Sequence, residues 1–261
     1  MKIFATYNIK GGVGKTSTAV NLAYLAARDG YRVLLWDLDP QAAASFLFRV
    51  RPRVKGGGKA LIRGTRPVDD AIKGTDFEGL DLLPADFTYR NLDLMLDSAK
   101  KPARRLASLL APLRAEYDVV VLDCPPSISL LSESVLHAAD LLLVPLIPTT
   151  LSVRTLDQLT EFIDGFTGKR PKVLAFFSMI DGRKRLHQEI AQELPARRPE
   201  FAATVIPALS VIERMSVERR PVTEFAPRTV AARRYGELWR EARERAGLPP
   251  PPAVPSAAPS A

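Results

Sequence analysis

The sequence predicts an α/β fold in which helices cover both faces of a mostly parallel central sheet, giving three layers. Short runs rich in β-branched residues alternate with longer stretches of helical periodicity, an order typical of parallel strands joined by crossover helices. The chain has 261 residues, 46% hydrophobic and 25% charged, which suffices for a large core. We expect residues 1–247 to form one domain and the proline-, alanine- and serine-rich residues 248–261 to form a disordered tail.

The individual elements follow from local patterns. A first helix is predicted over Gly14–Arg28, because its apolar residues recur on one face and Gly30 can end it. A last helix over Thr229–Ala246 carries an apolar stripe, with arginines on its other faces. Arg51–Lys59 is predicted to be a basic, glycine-rich surface loop. The predicted strands are Lys2–Tyr7, Tyr31–Asp37, Gly79–Pro84, Asp118–Leu122, Leu141–Pro145 and Lys172–Phe177, with Ala203–Ile206 as a candidate for one more.

Charge and composition limit the classes of partner. The formal net charge of +8 favours a polyanionic partner, either nucleic acid or an anionic membrane, although a solvated basic surface without a partner would give the same charge. The single cysteine, Cys124, excludes an intramolecular disulfide and a C-x-x-C metal or redox pair. No apolar run approaches the roughly 20 residues that span a bilayer, and the N-terminal stretch has no signal-peptide pattern. We therefore expect a soluble, cytoplasmic protein.

A glycine-rich loop between the first predicted strand and helix has the composition of a phosphate-binding loop. Gly11, Gly12 and Gly14 allow a tight turn that directs several backbone N–H groups toward one anion. Lys15 would place an ammonium group on the β- and γ-phosphates, and the hydroxyl of Thr16 would bind Mg²⁺. The sequence therefore predicts a P-loop NTPase fold that binds ATP and Mg²⁺. The predicted nucleotide contacts in this loop are Lys10, Gly11, Gly12, Val13, Gly14, Lys15, Thr16 and Ser17.

Carboxylates follow two of the predicted strands. Asp37 and Asp39 end the second strand, and residues two apart on an extended segment point the same way. Because the carboxyl ends of parallel strands face the ligand crevice, this pair could serve a metal ion and a water molecule together. Asp39 and Pro40 form an Asp-Pro dipeptide, which would also suit an ordinary turn. Asp123 ends a third apolar strand, as required of the acidic residue that holds Mg²⁺ in such proteins.

The loop departs from the common pattern, and the departure carries a family resemblance. Ile9 stands where the first glycine of G-x-x-x-x-G-K-[ST] would be, and Lys10 precedes the double glycine. The segment KGGVGKTSTAVNLA resembles the deviant Walker A loop of the ParA/Soj/MinD family, closest to ParA-type partitioning ATPases. DLDPQ and DCPPS, together with later segments up to residue 246, extend the likeness. Typical members carry glutamine in place of Ile9, so this chain departs from the family there.

The resemblance implies a mechanism and site residues. Lys10 would reach the nucleotide of a second subunit in an ATP-dependent homodimer, Asp39 would orient the attacking water, and Asp37 and Asp123 would lie at the metal. Met179 and Pro207 would contact the base, where an Arg-Asn pair of many members is replaced by Ala208 and Leu209. Catalytic roles are thus predicted for Lys10, Lys15 and Asp39, and metal roles for Thr16, Asp37 and Asp123.

The resemblance also implies partners. Relatives bind DNA without sequence preference and position DNA or large protein cargo, with hydrolysis stimulated by a ParB-like or cargo-adaptor protein. The expected localisation is cytoplasmic and nucleoid-associated. No helix-turn-helix pattern is seen before the loop, so we do not expect sequence-specific operator binding. The predicted DNA contacts are Arg183, Lys184, Arg185, Arg214, Arg219 and Arg220.

Two other functions remain open from the sequence. A MinD-like membrane switch would need a terminal amphipathic helix, for which the predicted Thr229–Ala246 helix is the candidate, although core packing also explains its apolar stripe. A metabolic or metallocluster relative would need substrate groups or bridging cysteines, and one cysteine supplies no such pattern. We expect no stable membrane insertion.

Overall fold

The computed structural model describes residues 1–251, so most of the predicted tail, residues 252–261, lies outside the described residues. A seven-stranded sheet has the order β3-β4-β2-β5-β1-β6-β7, and only β3 runs antiparallel to its neighbour. The predicted α/β fold with a mostly parallel sheet is confirmed. The strands are β1 (Lys2–Thr6), β2 (Val33–Asp37), β3 (Lys73–Gly74), β4 (Leu80–Leu83), β5 (Val119–Asp123), β6 (Leu141–Leu146) and β7 (Lys172–Phe177).

Helices connect the strands and cover both faces of the sheet. Among residues 1–251, no helix is both long enough and apolar enough to cross a bilayer. Short 3-10 turns occur at 69–71, 87–91, 102–104 and 112–115. The α-helices are α1 (Lys15–Arg28), α2 (Ala43–Leu47), α3 (Gly57–Arg63), α4 (Leu92–Asp97), α5 (Arg105–Leu110), α6 (Leu130–Ala138), α7 (Thr150–Asp164), α8 (Arg185–Arg197), α9 (Ser210–Glu213), α10 (Met215–Glu218), α11 (Val222–Phe225) and α12 (Val230–Ala246).

Apolar residues on both faces of the strands make two cores, one on each side of the sheet. Trp36 and Leu122 lie in the core beneath α3 to α7, whereas Leu35 and Val121 lie in the core beneath α1 and α12. Because successive strand residues alternate between faces, strands buried on both sides are apolar throughout. This explains why the central strands could be located from the sequence.

The last helix, α12, forms as predicted, and its apolar residues face the core. Thr229 caps its first turn by accepting a hydrogen bond from the backbone N–H of Ala232, and Gly247 ends it with a φ of 62°. Leu238 is fully buried, and the indole N–H of Trp239 donates to Asp29 at the end of α1 over 2.8 Å. The apolar stripe of α12 therefore belongs to the core.

The predicted strand at Ala203–Ile206 is wrong. Only isolated bridges form nearby, between Ala175 and Phe201 and between Ile180 and Pro207. The backbone N–H groups of Ala203 and Thr204 instead donate to the carboxylate of Glu241 on α12, over 2.8 and 2.9 Å. These two N–H groups are therefore not available for strand pairing with β7.

The predicted surface loop at Arg51–Lys59 is correct only for its first six residues. Its last three residues belong to α3, which runs over Gly57–Arg63. Gly58 is buried against the ring of Tyr89, where an added Cβ would lie 2.7 Å from a ring carbon. Glycine here permits close packing, a role that the sequence does not distinguish from loop flexibility.

We expect Leu238→Ala to lower the free energy of unfolding by about 2–5 kcal/mol, because it leaves a cavity between α12 and the sheet. Leu94→Ala is the matched control, since Leu94 is a helical leucine whose side chain is 73% exposed, and its change should stay within about 0.5 kcal/mol of zero, helix propensity included. Urea unfolding followed by circular dichroism measures both. Equal losses in the two variants would contradict the burial of α12.

Candidate nucleotide-binding site

The loop between β1 and α1 lies at the carboxyl edge of the sheet. The side chain of Asn8 holds its start, because its Nδ2 donates to the carbonyl of Pro145 over 2.7 Å and its Oδ1 accepts from the N–H of Lys10 over 2.8 Å. Asn8 is buried, so this pair of hydrogen bonds fixes the loop to the end of β6. Asn8 was not predicted as a site residue, because an asparagine before a glycine-rich loop has no distinctive local pattern.

Glycine is required at two positions of the loop. Gly12 and Gly14 have φ values of 70° and 95°, in the left-handed region that other residues avoid. Gly14 also lies against Ser178, whose Oγ would be 2.9 Å from an added Cβ. Because Gly14 precedes the first residue of the 14-residue helix α1, the free N–H groups of its first turn, with their partial positive charge, face the loop.

Lys15 is turned into the protein beneath the loop. Its side chain is buried, and its Nζ donates to the backbone carbonyl of Lys10 over 3.0 Å. Burial lowers the pKa of Lys15, and the nearby carboxylates of Asp123 and Asp39 act in the opposite direction. This arrangement aims an ammonium group at the concave side of the loop.

Two carboxylates meet where β2 and β5 end. Asp37 and Asp123 are paired in the register of the two strands, and both are fully buried. Burial and the neighbouring Asp37 raise the pKa of Asp123 well above its usual value. Burial likewise raises the pKa of Asp37 to about 6, although its Oδ2 accepts hydrogen bonds from the N–H and Oγ of Ser45, at 2.8 and 2.7 Å. Two buried acids so close together favour a nearby positive charge.

The oxygens around Asp123 fit a magnesium ion. Asp123 Oδ1 receives a hydrogen bond from the Thr6 hydroxyl at 3.3 Å, whereas its buried Oδ2 has no hydrogen-bond partner within residues 1–251. The Thr16 hydroxyl is close enough to lower the pKa of Asp123 and so offset part of the rise. No group of three or more histidine, cysteine or acidic side chains forms a metal cage in the described chain. Mg²⁺ is typically held by few protein oxygens together with phosphate and water.

Asp39 lies at the turn that follows β2. Its backbone N–H donates to Asp37 over 3.3 Å, and its Oδ1 accepts from the N–H of Gln41 over 2.9 Å. The side chain is half-buried and influences the pKa of both Lys15 and Asp123. Asp39 is therefore close to the loop and open to solvent on one side.

A small cavity of about 120 Å³ adjoins the start of α1. Met179 and Pro207, the predicted base contacts, both line it, and Met179 has a φ of 54° that is unusual for its type. Leu209, at the position where the chain departs from the family pattern, also lines this cavity. Ile212 of α9 and Tyr235 of α12 also line the cavity and were not predicted, because neither belongs to a recognisable sequence motif. Contact with a base remains a prediction for Met179 and Pro207.

The predicted DNA contacts lie on two separate stretches, one at the start of α8 and one around α10. The five arginines each contact a carboxylate or an aromatic ring of the same chain, whereas Lys184 is exposed. The pairs are Arg183–Asp181 at 3.0 Å, Arg185–Glu189 at 2.7 Å, Arg214–Glu218 at 2.6 Å and Arg220–Glu224 at 3.3 Å, and the Arg219 guanidinium lies 4.5 Å from the centre of the Phe46 ring.

Comparison with known proteins agrees with this geometry. Residues 1–175 match the family model described as an AAA domain. The chain is 32% identical to the chromosome partitioning protein ParA of Caulobacter vibrioides, covering 94% of this chain and 96% of that protein. It is 31% identical to the sporulation initiation inhibitor protein Soj of Bacillus subtilis, covering 92% and 97%.

Solved structures share the fold. The cobyrinic acid a,c-diamide synthase of Mycobacterium smegmatis, with bound ADP and magnesium, matches with a TM-score of 0.78 and 27% identity over 98% of this chain and 100% of that one. The putative plasmid partition protein of Borrelia burgdorferi, bound to AMPPNP, matches with a TM-score of 0.80 and 23% identity over 92% and 97%. The predicted three-layer P-loop NTPase fold is confirmed by these likenesses.

We expect Gly14→Ala to weaken the loop by combining a strained positive φ with a clash against Ser178, lowering the free energy of unfolding by about 1–3 kcal/mol. Gly11→Ala is the control, because an added Cβ there has its nearest neighbour, Pro126, at 3.9 Å and no positive φ to adopt. Urea denaturation compares the two. A Gly11→Ala variant as unstable as Gly14→Ala would contradict the loop geometry.

Proposed function

The chain belongs to the ParA family of P-loop ATPases, and we propose that it is an ATP-driven switch that positions cargo. In this proposal it pairs with a second copy when ATP and Mg²⁺ are bound, holds DNA without sequence preference, and is reset by hydrolysis. The cargo is DNA, such as a plasmid or chromosome, or a large protein assembly. The name of the Caulobacter relative, a chromosome partitioning protein that the match covers over 96% of its length, supports a role in partitioning.

One observation carries the proposal: the two lysines of the loop differ in burial. Lys15 is buried and directed inward, whereas the side chain of Lys10 is exposed. The backbone of Lys10 is nonetheless fixed, since its N–H is bound by Asn8 and its carbonyl by Lys15. An exposed lysine on a fixed backbone beside the phosphate site is suited to reach a nucleotide held by a second copy.

The remaining residues supply the chemistry of hydrolysis. Thr16 and Asp123 would hold Mg²⁺, which when bound neutralises charge on the phosphate oxygens. Asp39, close to Lys15 and open to solvent, would orient the attacking water. Asp37 accepts hydrogen bonds from Ser45 and so positions the start of α2 beside the site, in addition to its predicted place near the metal.

Hydrolysis is proposed to be slow and stimulated by a partner. Among residues 1–251, no arginine donates a hydrogen bond to the loop from Asn8 to Thr18, and an arginine at the phosphates is worth about 10³–10⁵ in rate. A ParB-like or cargo-adaptor protein would supply the stimulation. The protein would act in the cytoplasm, in association with the nucleoid.

No observation favours the MinD-like alternative. A membrane-bound amphipathic helix needs an apolar face free to enter the interface. In α12 the apolar residues Tyr235, Leu238 and Trp239 are buried against α1 and the sheet. Liposome flotation with ATP remains the direct test of this alternative.

We expect Lys15→Ala to abolish ATP binding, because it removes the buried ammonium group beneath the loop. Lys10→Ala is the matched comparison, and it should keep nucleotide binding in the monomer but lose the ATP-dependent dimer. Equilibrium dialysis measures binding, and light scattering coupled to size exclusion measures mass. ATP-dependent dimers that persist in Lys10→Ala would refute the proposed arrangement.

We expect Asp39→Ala to lower ATP turnover by about 10²-fold or more, the range typical of a lost general base, while leaving ATP-bound dimers intact. Asp70→Ala, a change of an exposed aspartate away from the loop, should turn over ATP like the unaltered protein. Phosphate release under saturating ATP gives both rates. Normal turnover by Asp39→Ala would remove its assigned role.

A further inference from the structure

The stretch from residue 51 to residue 66, here called the basic segment, carries six cationic side chains and no acidic one. The absence of aspartate and glutamate extends from Pro40 to Val68. No part of the site described above uses this charge. The six cations are Arg51, Arg53, Lys55, Lys59, Arg63 and Arg66.

These cations are exposed and unpaired within the described chain. Five of them are exposed and Arg66 is half-buried. None appears among the ion pairs that residues 1–251 form, which reach from Arg28 to Arg243. Arg214 and Arg220, in contrast, are each paired with a glutamate, at 2.6 and 3.3 Å. Arg53 lies near enough to the buried Asp86 to lower the pKa of that carboxyl. Apart from this influence, the basic segment offers positive charge that no ion pair of residues 1–251 neutralises.

The basic segment is held in place at its backbone. The N–H of Val54 donates to Asp86 Oδ2 over 2.9 Å, and the N–H of Gly58 donates to Thr88 Oγ1 over 2.9 Å. Gly58 also packs directly on the ring of Tyr89. These contacts present the cations on a formed helix and turn, so less conformational entropy is lost when a ligand binds.

Further hydrogen bonds connect the basic segment to the nucleotide edge of the sheet. Asp37 accepts a hydrogen bond from the Ser45 hydroxyl, whose oxygen accepts from the N–H of Ala85 over 3.0 Å. Asp86, the next residue, holds Val54. A continuous set of hydrogen bonds and one peptide bond thus runs from the carboxylate at the end of β2 to the basic segment.

We propose that the basic segment binds the phosphate backbone of double-stranded DNA. The proposal rests on the proposed function and moves the main DNA contacts from the arginines of α8 and α10 to residues 51–66. Unpaired arginines and lysines bind backbone phosphates and release counterions. A membrane surface fits less well, because the apolar residues of the basic segment, Val54, Leu61 and Ile62, are buried in the core. The exposed ring of Phe87 nearby is covered on one face by the Arg90 guanidinium, 4.3 Å from its centre.

Two variants with the same loss of charge test the proposal. One changes Arg51, Arg53, Lys59 and Arg63 to glutamine, and the other changes Arg183, Arg185, Arg214 and Arg220 to glutamine. Fluorescence anisotropy with a labelled duplex of random sequence, in the presence of ATP and Mg²⁺, gives affinity as a function of salt. ATP turnover without DNA checks that both variants fold, since none of these residues belongs to the ATP site.

The basic-segment variant should bind duplex at least about tenfold more weakly, and its slope of log K against log salt should fall by about 0.9 for each phosphate that is no longer neutralised. The second variant should change far less, because its arginines are already paired. The opposite ranking, or equal binding by both variants and the unaltered protein, overturns the proposal while the proposed function stands. Failure of the unaltered protein to bind duplex instead removes DNA binding from the proposed function.

Anionic vesicles provide a further test. Flotation with phosphatidylserine vesicles that the basic-segment variant loses, together with duplex binding that it keeps, would assign the surface to a membrane and overturn the proposal. Weak flotation that is equal in both variants supports DNA as the ligand.

Discussion

The structure depends on a set of charges buried together at the carboxyl edge of the sheet. Lys15, Asp37 and Asp123 all lie out of solvent, where an unbalanced charge is strongly unfavourable. Burial and neighbouring carboxylates raise the pKa of both acids, and at Asp123 the Lys15 ammonium group offsets part of this rise. The site is therefore one that a cation stabilises, and the unpartnered oxygen of Asp123, within residues 1–251, is placed to meet that need. The other features of the site, from the glycines to the asparagine that holds the loop, keep these charges in position.

The fold provides this arrangement through backbone geometry more than through side-chain contacts. Parallel pairing brings Thr6, Asp37 and Asp123 to one level, and the following loops place Lys15 and Asp39 beside them. The two cores then hold the sheet between helices on both faces. Charges on the surface are arranged differently. Around α8 and α10 several arginines form ion pairs with acidic residues, whereas the cations of the basic segment form none within the part of the chain that the structure describes.

Much of the fold was predictable because it is specified by residue types and patterns within short stretches of sequence. Apolar strands such as Val119–Asp123 indicate burial on both faces, and the glycines of the loop reveal their backbone conformation by residue type. Long-range partners were not predictable. Glu241 accepts from the N–H groups of Ala203 and Thr204 across 38 and 37 residues, in place of a strand that local propensity favoured. Ser45 and Asn8 were missed for the same reason, and the packing of Gly58 on Tyr89 stabilises a helix in a stretch whose composition is typical of a loop.

The pairing of Asp37 with Asp123 has a consequence for how such a chain can change over evolution. An insertion or deletion of one residue within β2 or β5 would turn one carboxylate to the opposite face of the sheet. We therefore expect the lengths of these two strands to be constant. Between Phe48 and Gly79 the chain leaves the central strands and returns, and a change of length there alters neither register. That excursion is where a lineage could exchange one binding surface for another while its hydrolytic centre stays intact.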